Sequence, residues 1–179
     1  MKQFKTLVVL RQPLQPVWST MQDRLPELIP MIDDVASVTV LEREEVGPGR
    51  TRLVNEWRAR QRLPAVVRDA VQGEVLGWID HNLWDDQARV CVWNIEPFVL
   101  PESIRCQGTT TYEPAMGGRG CRVTFEGTFE LADGALSGLA GALQRPVASF
   151  VESIVSTYIP RNTRAVLEAA ARLCGAGRS

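Results

Sequence analysis

Several residue types are scarce in this 179-residue chain, and each scarcity excludes a class of site. The only histidine is His81, which excludes a histidine-rich metal centre. The four cysteines form no CxxC pair, so a zinc site is unsupported and the thiols are expected in the core. The Walker A, GxGxxG, HExxH and GxSxG motifs are all absent. No cofactor and no metal are therefore expected.

Lysine is also scarce, with two residues against eighteen arginines, and the net charge is −1. A chain this close to neutral has no overall field for nucleic acid, and at most a transient membrane contact is expected. No run approaches the ~20 apolar residues of a membrane span, and MKQFKTLVVL does not resemble a secretory signal. A cytoplasmic protein with one domain, residues 1–179, is expected. The arginine and alanine bias is typical of a GC-rich bacterial genome.

The longest helical pattern runs from Pro146 to Cys174. Its apolar residues recur at spacings of three and four, which places them on one helix face. Pro160 lies inside this pattern and cannot donate a backbone hydrogen bond. The sequence therefore predicts a kink or break there, with one segment from Val147 to Tyr158 and a second from Arg161 onward.

The chain before this helix predicts one strand, two short helices and six consecutive antiparallel strands. In Cys121 to Leu131 apolar and polar residues alternate almost perfectly, which is typical of a sheet covered on one side only. Residues 61–73 predict a short helix or apolar loop inserted between two strands. The order predicts an α+β fold in which a curved antiparallel sheet of about seven strands wraps around the C-terminal helix.

Four stretches carry a resemblance to a known superfamily: FKTLVVLRQPLQPVWSTMQDRLPELIP, VTVLEREEVGPGRTRLVNEW, VTFEGTFEL and the C-terminal helix. Together they resemble the START-like, or SRPBCC helix-grip, proteins, which include the birch-pollen allergen type, polyketide cyclases and coenzyme-Q-binding proteins. NEWRARQRLPAVVRDAVQG is more weakly similar to the PRELI-type lipid-transfer group. The chain departs from that group by extra residues between Trp57 and Leu63 and by lacking a lysine run.

The resemblance implies a cavity between sheet and helix that holds a hydrophobic small molecule, with the segment before Pro160 as its roof. The entrance is expected between residues 61–73 and the C-terminal helix, and Gly108 and Gly127 are expected to leave space beneath the helix. The candidate ligand-binding residues are inward-facing and mostly aromatic or polar: Asn55, Trp57, Trp78, Asp80, Trp93, Cys106, Tyr112, Phe125, Phe150, Ile154 and Tyr158. The competing interpretation is that the tryptophans only fill the core and that the polar residues lie at strand ends.

Three functions remain open at this stage. The favoured one is a non-enzymatic carrier or sensor of a lipid, quinone, isoprenoid or polyketide. The second is a cyclase or aromatase-type enzyme, which a buried Asp80 within hydrogen-bond reach of a tyrosine would favour. The third is a co-chaperone-like module that binds a partner through the apolar residues 135–143. His81 is expected to be exposed and structural, and no catalytic residue is assigned.

Overall fold

The computed structural model describes residues 1–176. Its strands form one antiparallel sheet in the order β1-β7-β6-β5-β4-β3-β2. They are β1 (Lys2–Leu10), β2 (Val35–Gly47), β3 (Arg50–Arg62), β4 (Val75–Asp85), β5 (Val90–Pro97), β6 (Ile104–Ala115) and β7 (Gly120–Leu131). The first strand therefore pairs with the last, and β1 and β2 form the two edges of the sheet. The predicted seven-stranded α+β fold is confirmed.

In the described part of the chain, four α-helices accompany the sheet: α1 (Leu14–Asp23), α2 (Ala65–Val71), α3 (Gly141–Ser153) and α4 (Ile159–Ala176). A 3-10 helix (Leu25–Met31) follows α1, so the two predicted short helices are both present. A shorter 3-10 turn, Met116–Gly118, closes the hairpin between β6 and β7. Within residues 1–176, no helix is both long and apolar enough to cross a membrane.

The alternation along β7 produces the dry face of the sheet. Cys121 and Val123 are fully buried, whereas Arg122 between them is exposed. This face packs against α1 and α4, where Trp18 and Leu167 join the same apolar cluster. Burial of such side chains stabilises the fold by roughly 1.5–3 kcal/mol each.

The C-terminal helix does not break at Pro160. Ser153, Ile154 and Ile159 all have right-handed helical backbone angles, so the chain stays helical from α3 into α4. The irregularity is instead a π-helical turn, Ile154–Tyr158, directly before the proline. The amide of Ile159 bonds to the carbonyl of Ile154, five residues back, as this wider turn requires.

Residues 61–73 contribute a short helix, α2, which is one of the two predicted alternatives. Val67 is almost fully buried in a cluster that includes Val147 and Val151 of α3. At the position where the entrance was expected, between this insert and the C-terminal helix, α2 packs directly on α3 and covers the route in this structure.

Candidate functional site

A cavity of about 180 Å³ lies between the central strands β3–β6 and the C-terminal helix. Its roof consists of Ile154 and Tyr158 from the π turn and of residues 159–167 of α4. Met21 of α1 and Leu25 of the 3-10 helix close one side. The roof therefore lies further along the helix than the expected segment from Val147 to Tyr158.

Two stacked aromatic pairs form much of the cavity wall. The rings of Trp57 and Trp78 are 5.8 Å apart and inclined by 12°, and those of Trp93 and Phe125 are 4.6 Å apart and inclined by 10°. Tyr158 meets Trp78 edge-on at 6.0 Å. Rings held in this way are rigid, so the walls are preorganised for a flat apolar molecule.

Gly108 and Gly127 pair directly across β6 and β7, but they do not leave open space as expected. A Cβ at Gly108 would lie 2.6 Å from Cζ2 of Trp93, and one at Gly127 would lie 2.5 Å from its Cη2. The glycines therefore accommodate the Trp93 indole, which lies against the sheet where a side chain would otherwise stand.

A polar cluster lies in this apolar cavity. Asn55 of β3 pairs with Asp80 of β4, and Asn82 follows two residues later on the same face. Asn55 is only 2% exposed, and its Oδ1 has no hydrogen-bond partner among residues 1–176. Oδ1 of Asp80 and Nε1 of Trp57 are also buried and also lack a hydrogen-bond partner among these residues. Buried polar atoms of this kind are rare in folded proteins, and they mark a position where a partner is needed.

Enclosure by the protein raises the pKa of Asp80 to about 6. The side chains of Asn82, Trp57 and Asn55 face the carboxyl and oppose this rise. They act on the carboxyl by proximity, yet none of them completes a hydrogen bond to Oδ1. Asp80 as a whole is half-buried, and it lines the cavity.

Neither tyrosine hydroxyl makes a hydrogen bond to Asp80 in the part of the chain that the structure describes. The Tyr158 hydroxyl donates to the carbonyl of Asp34 at 3.2 Å, and burial raises the pKa of Tyr158 to about 12. Burial also raises the pKa of Tyr112 well above its usual value, and its ring packs on Trp18 and Trp84. The paired carboxyl and tyrosine expected of a cyclase-type site are therefore not brought together.

Nine of the eleven candidate residues line this one cavity: Asn55, Trp57, Trp78, Asp80, Trp93, Tyr112, Phe125, Ile154 and Tyr158. Cys106 and Phe150 lie outside its lining, in the cluster beneath α2 and α3. Sequence reasoning missed the lining residues from α1, the 3-10 helix and α4, including Asn162. Asn162 is only 7% exposed and its Oδ1 is unpaired, so a polar residue on an apolar helix stripe was the available signal.

Other chemistries find little support in the described residues. His81 lies on the outer face of β4, 45% exposed, with Nε2 3.5 Å from a carboxylate oxygen of Glu96. The Cys91 thiol borders the cavity and donates to Oδ1 of Asn82 at 3.4 Å, and burial raises its pKa well above the usual value. Residues 1–176 contain no group of three or more side chains that could hold a metal ion.

No protein-family model matches the chain, and no curated protein matches it in sequence. Solved structures do match over nearly its whole length. TTHA0849 from Thermus thermophilus is 21% identical, with a TM-score of 0.65 over 99% of this chain and 100% of that chain. The Zhui aromatase/cyclase from Streptomyces sp. R1128 is 18% identical, with a TM-score of 0.62 over 97% and 93%.

Norcoclaurine synthase from Thalictrum flavum, solved in complex with dopamine and hydroxybenzaldehyde, is 12% identical. Its TM-score is 0.60 over 99% of this chain and 88% of that chain. At these identities the likeness is one of fold. Together with the sheet order and the C-terminal helix, it shows that this chain adopts the START-like helix-grip fold.

Proposed function

We propose that this protein binds a small hydrophobic molecule in the cavity between its sheet and C-terminal helix, as a carrier or sensor. The observation that supports this most directly is the cavity itself, about 180 Å³ in volume with stacked aromatic walls. Protein interiors are otherwise close-packed, and a void of this size costs stability unless something fills it. The complex of norcoclaurine synthase with two small aromatic molecules, in the same fold, supports the same proposal.

The test is native mass spectrometry of the purified protein, with analysis of any small molecule that co-purifies. The variant Val166→Phe fills the cavity from α4, because Val166 lines it and is only 5% exposed. Val92→Phe makes the same change on the outer face of the sheet, where Val92 is 50% exposed, and serves as the matched control.

The wild-type protein and Val92→Phe should retain a bound mass or bind added naphthalene, and Val166→Phe should do neither while keeping its helical circular dichroism. A wild-type protein that is empty and gains no thermal stability from naphthalene would contradict the proposal. Equal binding by Val166→Phe and the wild type would place the ligand elsewhere and would contradict it too.

A second candidate is an aromatase or cyclase-type enzyme in the same cavity. The observation that favours it is Asp80, an enclosed carboxyl with a pKa of about 6, which suits a general acid or base near neutral pH. The lack of a hydrogen bond between Asp80 and either tyrosine hydroxyl among residues 1–176 argues against it. Turnover of a poly-β-ketone by the wild type that is lost in Asp80→Asn would establish this candidate over the carrier.

A further inference from the structure

The unpaired polar atoms of the cavity include both donors and acceptors. The indole nitrogens of Trp57 and Trp93 are unpaired donors, and the side-chain oxygens of Asn55, Asp80 and Asn162 are unpaired acceptors. Each such buried atom destabilises the folded protein while it stays unpaired, because it has lost its hydrogen bonds to water. A molecule that binds here gains affinity by pairing them.

Three of these atoms converge on one wall. Asn55 and Asp80 are directly opposite each other on β3 and β4, where Cβ atoms lie about 4.5–5.5 Å apart. Trp57 follows Asn55 by two residues, so its side chain is on the same face of β3. The Trp57 and Asn55 side chains both act on the Asp80 carboxyl, which places all three within reach of one polar group.

The charge of the cavity restricts which polar group of a ligand can bind at this wall. Among the described residues that line it, Asp80 is the only one with an ionisable carboxyl, and no lysine or arginine is present. A ligand carboxylate or phosphate would meet a like charge and would have no cation to pair with. Fatty acids and phospholipid head groups are therefore unsuited to this wall.

The mixture of hydrogen-bond donors and acceptors on this wall further restricts the polar group of the ligand. The Trp57 N–H needs an acceptor, whereas Oδ1 of Asn55 and Oδ1 of Asp80 need a donor. An ammonium group can donate but cannot accept, and a carboxylate can accept but cannot donate. A hydroxyl does both, since it carries one donor proton and two acceptor lone pairs.

The volume sets the size of the molecule. A cavity of about 180 Å³ is slightly larger than a ~150 Å³ cavity that binds benzene, and smaller than the ~300 Å³ at which pockets for drug-sized ligands begin. One or two fused rings fill it, whereas a long acyl chain or a four-ring polyketide does not.

We infer that the cavity selects a compact, uncharged, hydroxyl-bearing ring compound, whose hydroxyl donates to Asp80 or Asn55 and accepts from Trp57. This inference rests on the proposed function and adds the chemistry of the ligand. The flat ring lies between the Trp57–Trp78 and Trp93–Phe125 pairs, and its hydroxyl points to the β3–β4 wall.

The experiment is isothermal titration calorimetry at pH 7.5 with five probes that share one ring system: naphthalene, 2-naphthol, 2-methoxynaphthalene, 2-naphthoate and 2-naphthylmethylammonium. The expected order places 2-naphthol first, about tenfold tighter than 2-methoxynaphthalene, which keeps the acceptor but lacks the donor proton. The carboxylate is expected to bind at least tenfold more weakly than naphthalene, because the Asp80 carboxyl carries the same charge at this pH. The ammonium probe is expected to bind more weakly than 2-naphthol, because it cannot accept from the Trp57 N–H and its charge must leave water.

Substitutions at cavity residues, with a matched tryptophan control, locate the recognition. Trp57→Phe keeps an aromatic ring in the stack and removes only the N–H, so it should reduce the preference for 2-naphthol over naphthalene. Trp18→Phe makes the same change at a tryptophan outside the cavity lining, whose N–H bonds to Asp86, and it should leave that preference unchanged. Trp84→Phe, at another cavity tryptophan with an unpaired N–H, tests whether the hydroxyl pairs there instead. Asp80→Leu should abolish both the preference for the hydroxyl and the rejection of 2-naphthoate.

The outcomes separate the two proposals. If naphthalene binds but 2-naphthol, 2-methoxynaphthalene and 2-naphthoate bind equally well, the hydroxyl inference is overturned and the proposed function stands. If Trp84→Phe rather than Trp57→Phe removes the preference, the placement at the β3–β4 wall is overturned. If no probe binds, naphthalene included, the proposed function fails.

Discussion

Asn55 and Asp80 face each other across β3 and β4, and Oδ1 of each has no hydrogen-bond partner among residues 1–176. Both side chains line a cavity whose other walls are mostly aromatic and aliphatic. A sheet optimised only for stability would place apolar or mutually bonded side chains here, since a buried unpaired polar atom costs more than a hydrogen bond returns. The pair is therefore best explained by binding.

The carboxyl of Asp80 should make stability depend on pH. Its pKa is raised to about 6 when folded and is ordinary when unfolded, so its favourable contribution is complete below about pH 4 and is lost as the pH rises through 6. Asp80→Asn removes this loss of stability, because the asparagine side chain has no proton to release in this pH range. Urea unfolding should find the variant more stable than the wild type at pH 8, by on the order of 3 kcal/mol, and nearly equal to it at pH 4.

Asp69→Asn is the control for this prediction, because the Asp69 side chain is 76% exposed. It should change stability little at either pH. A stabilisation by Asp80→Asn that is the same at pH 4 and pH 8 would show that burial does not hold the carboxyl in its neutral form.

Gly127→Ala should destabilise the protein by displacing Trp93. Alanine is favoured over glycine in a strand by about 0.5–1 kcal/mol, but the new Cβ would lie 2.5 Å from the indole and 2.5 Å from the Gln107 carbonyl oxygen. Overpacking of this kind costs about 1–3 kcal/mol, which is more than the gain from replacing glycine. Gly138→Ala meets nothing within 4 Å and should be neutral, as urea unfolding followed by tryptophan fluorescence can measure.

The π turn should respond to Pro160→Ala. Restoring the backbone donor allows the wide turn to relax toward an α-helix, which raises stability by about 1 kcal/mol or more but rotates Ile154 and Tyr158 relative to the cavity. Weaker binding of 2-naphthol in a more stable protein is expected. Pro146→Ala is the control, because Pro146 lies inside α3 and outside the cavity lining, and it should gain stability without a change in binding. If the two variants changed stability and 2-naphthol binding by the same amounts, this would argue against a role for the π turn.

Tyr158 and Arg161 both contact Asp34, and their contributions should differ. Tyr158→Phe removes a part-buried hydrogen bond to the Asp34 carbonyl and should cost about 1 kcal/mol. Arg161→Ala removes an ion pair at 2.8 Å whose arginine is 57% exposed, and it should cost about 0.5 kcal/mol or less because water screens it. Equal losses of stability in urea unfolding, or a larger loss for Arg161→Ala, would contradict this ranking.

The sequence predicted the sheet and most of the cavity because alternation assigns each strand residue to a face. Once β3, β4 and β5 are antiparallel, Trp57, Asp80 and Trp93 must share the inner side, and the structure has them there. The same logic could not tell what fills the inner side. Gly108 and Gly127 indicated space, and only the pairing of β5 with β6 shows that Trp93 lies against them.

The helix was harder to predict for a different reason. Its apolar stripe is continuous, so the pattern does not say which part of it covers the cavity and which part packs against α2. Phe150 was expected in the roof but packs in the cluster beneath α2 and α3. Asn162 and Val166 line the cavity, because α3 packs on α2 and leaves the π turn and the start of α4 over the sheet.

The most direct test of binding in this cavity is the indole region of a ¹⁵N–¹H correlation spectrum during titration with 2-naphthol. The chain has five tryptophans, and four of them line the cavity: Trp57, Trp78, Trp84 and Trp93. The fifth, Trp18, is outside the lining, and its Nε1 donates to Asp86 at 2.9 Å. Saturable shifts should be largest for Trp57 and smallest for Trp18, whereas five unmoved signals, or a Trp18 shift as large as that of Trp57, would contradict binding in the cavity.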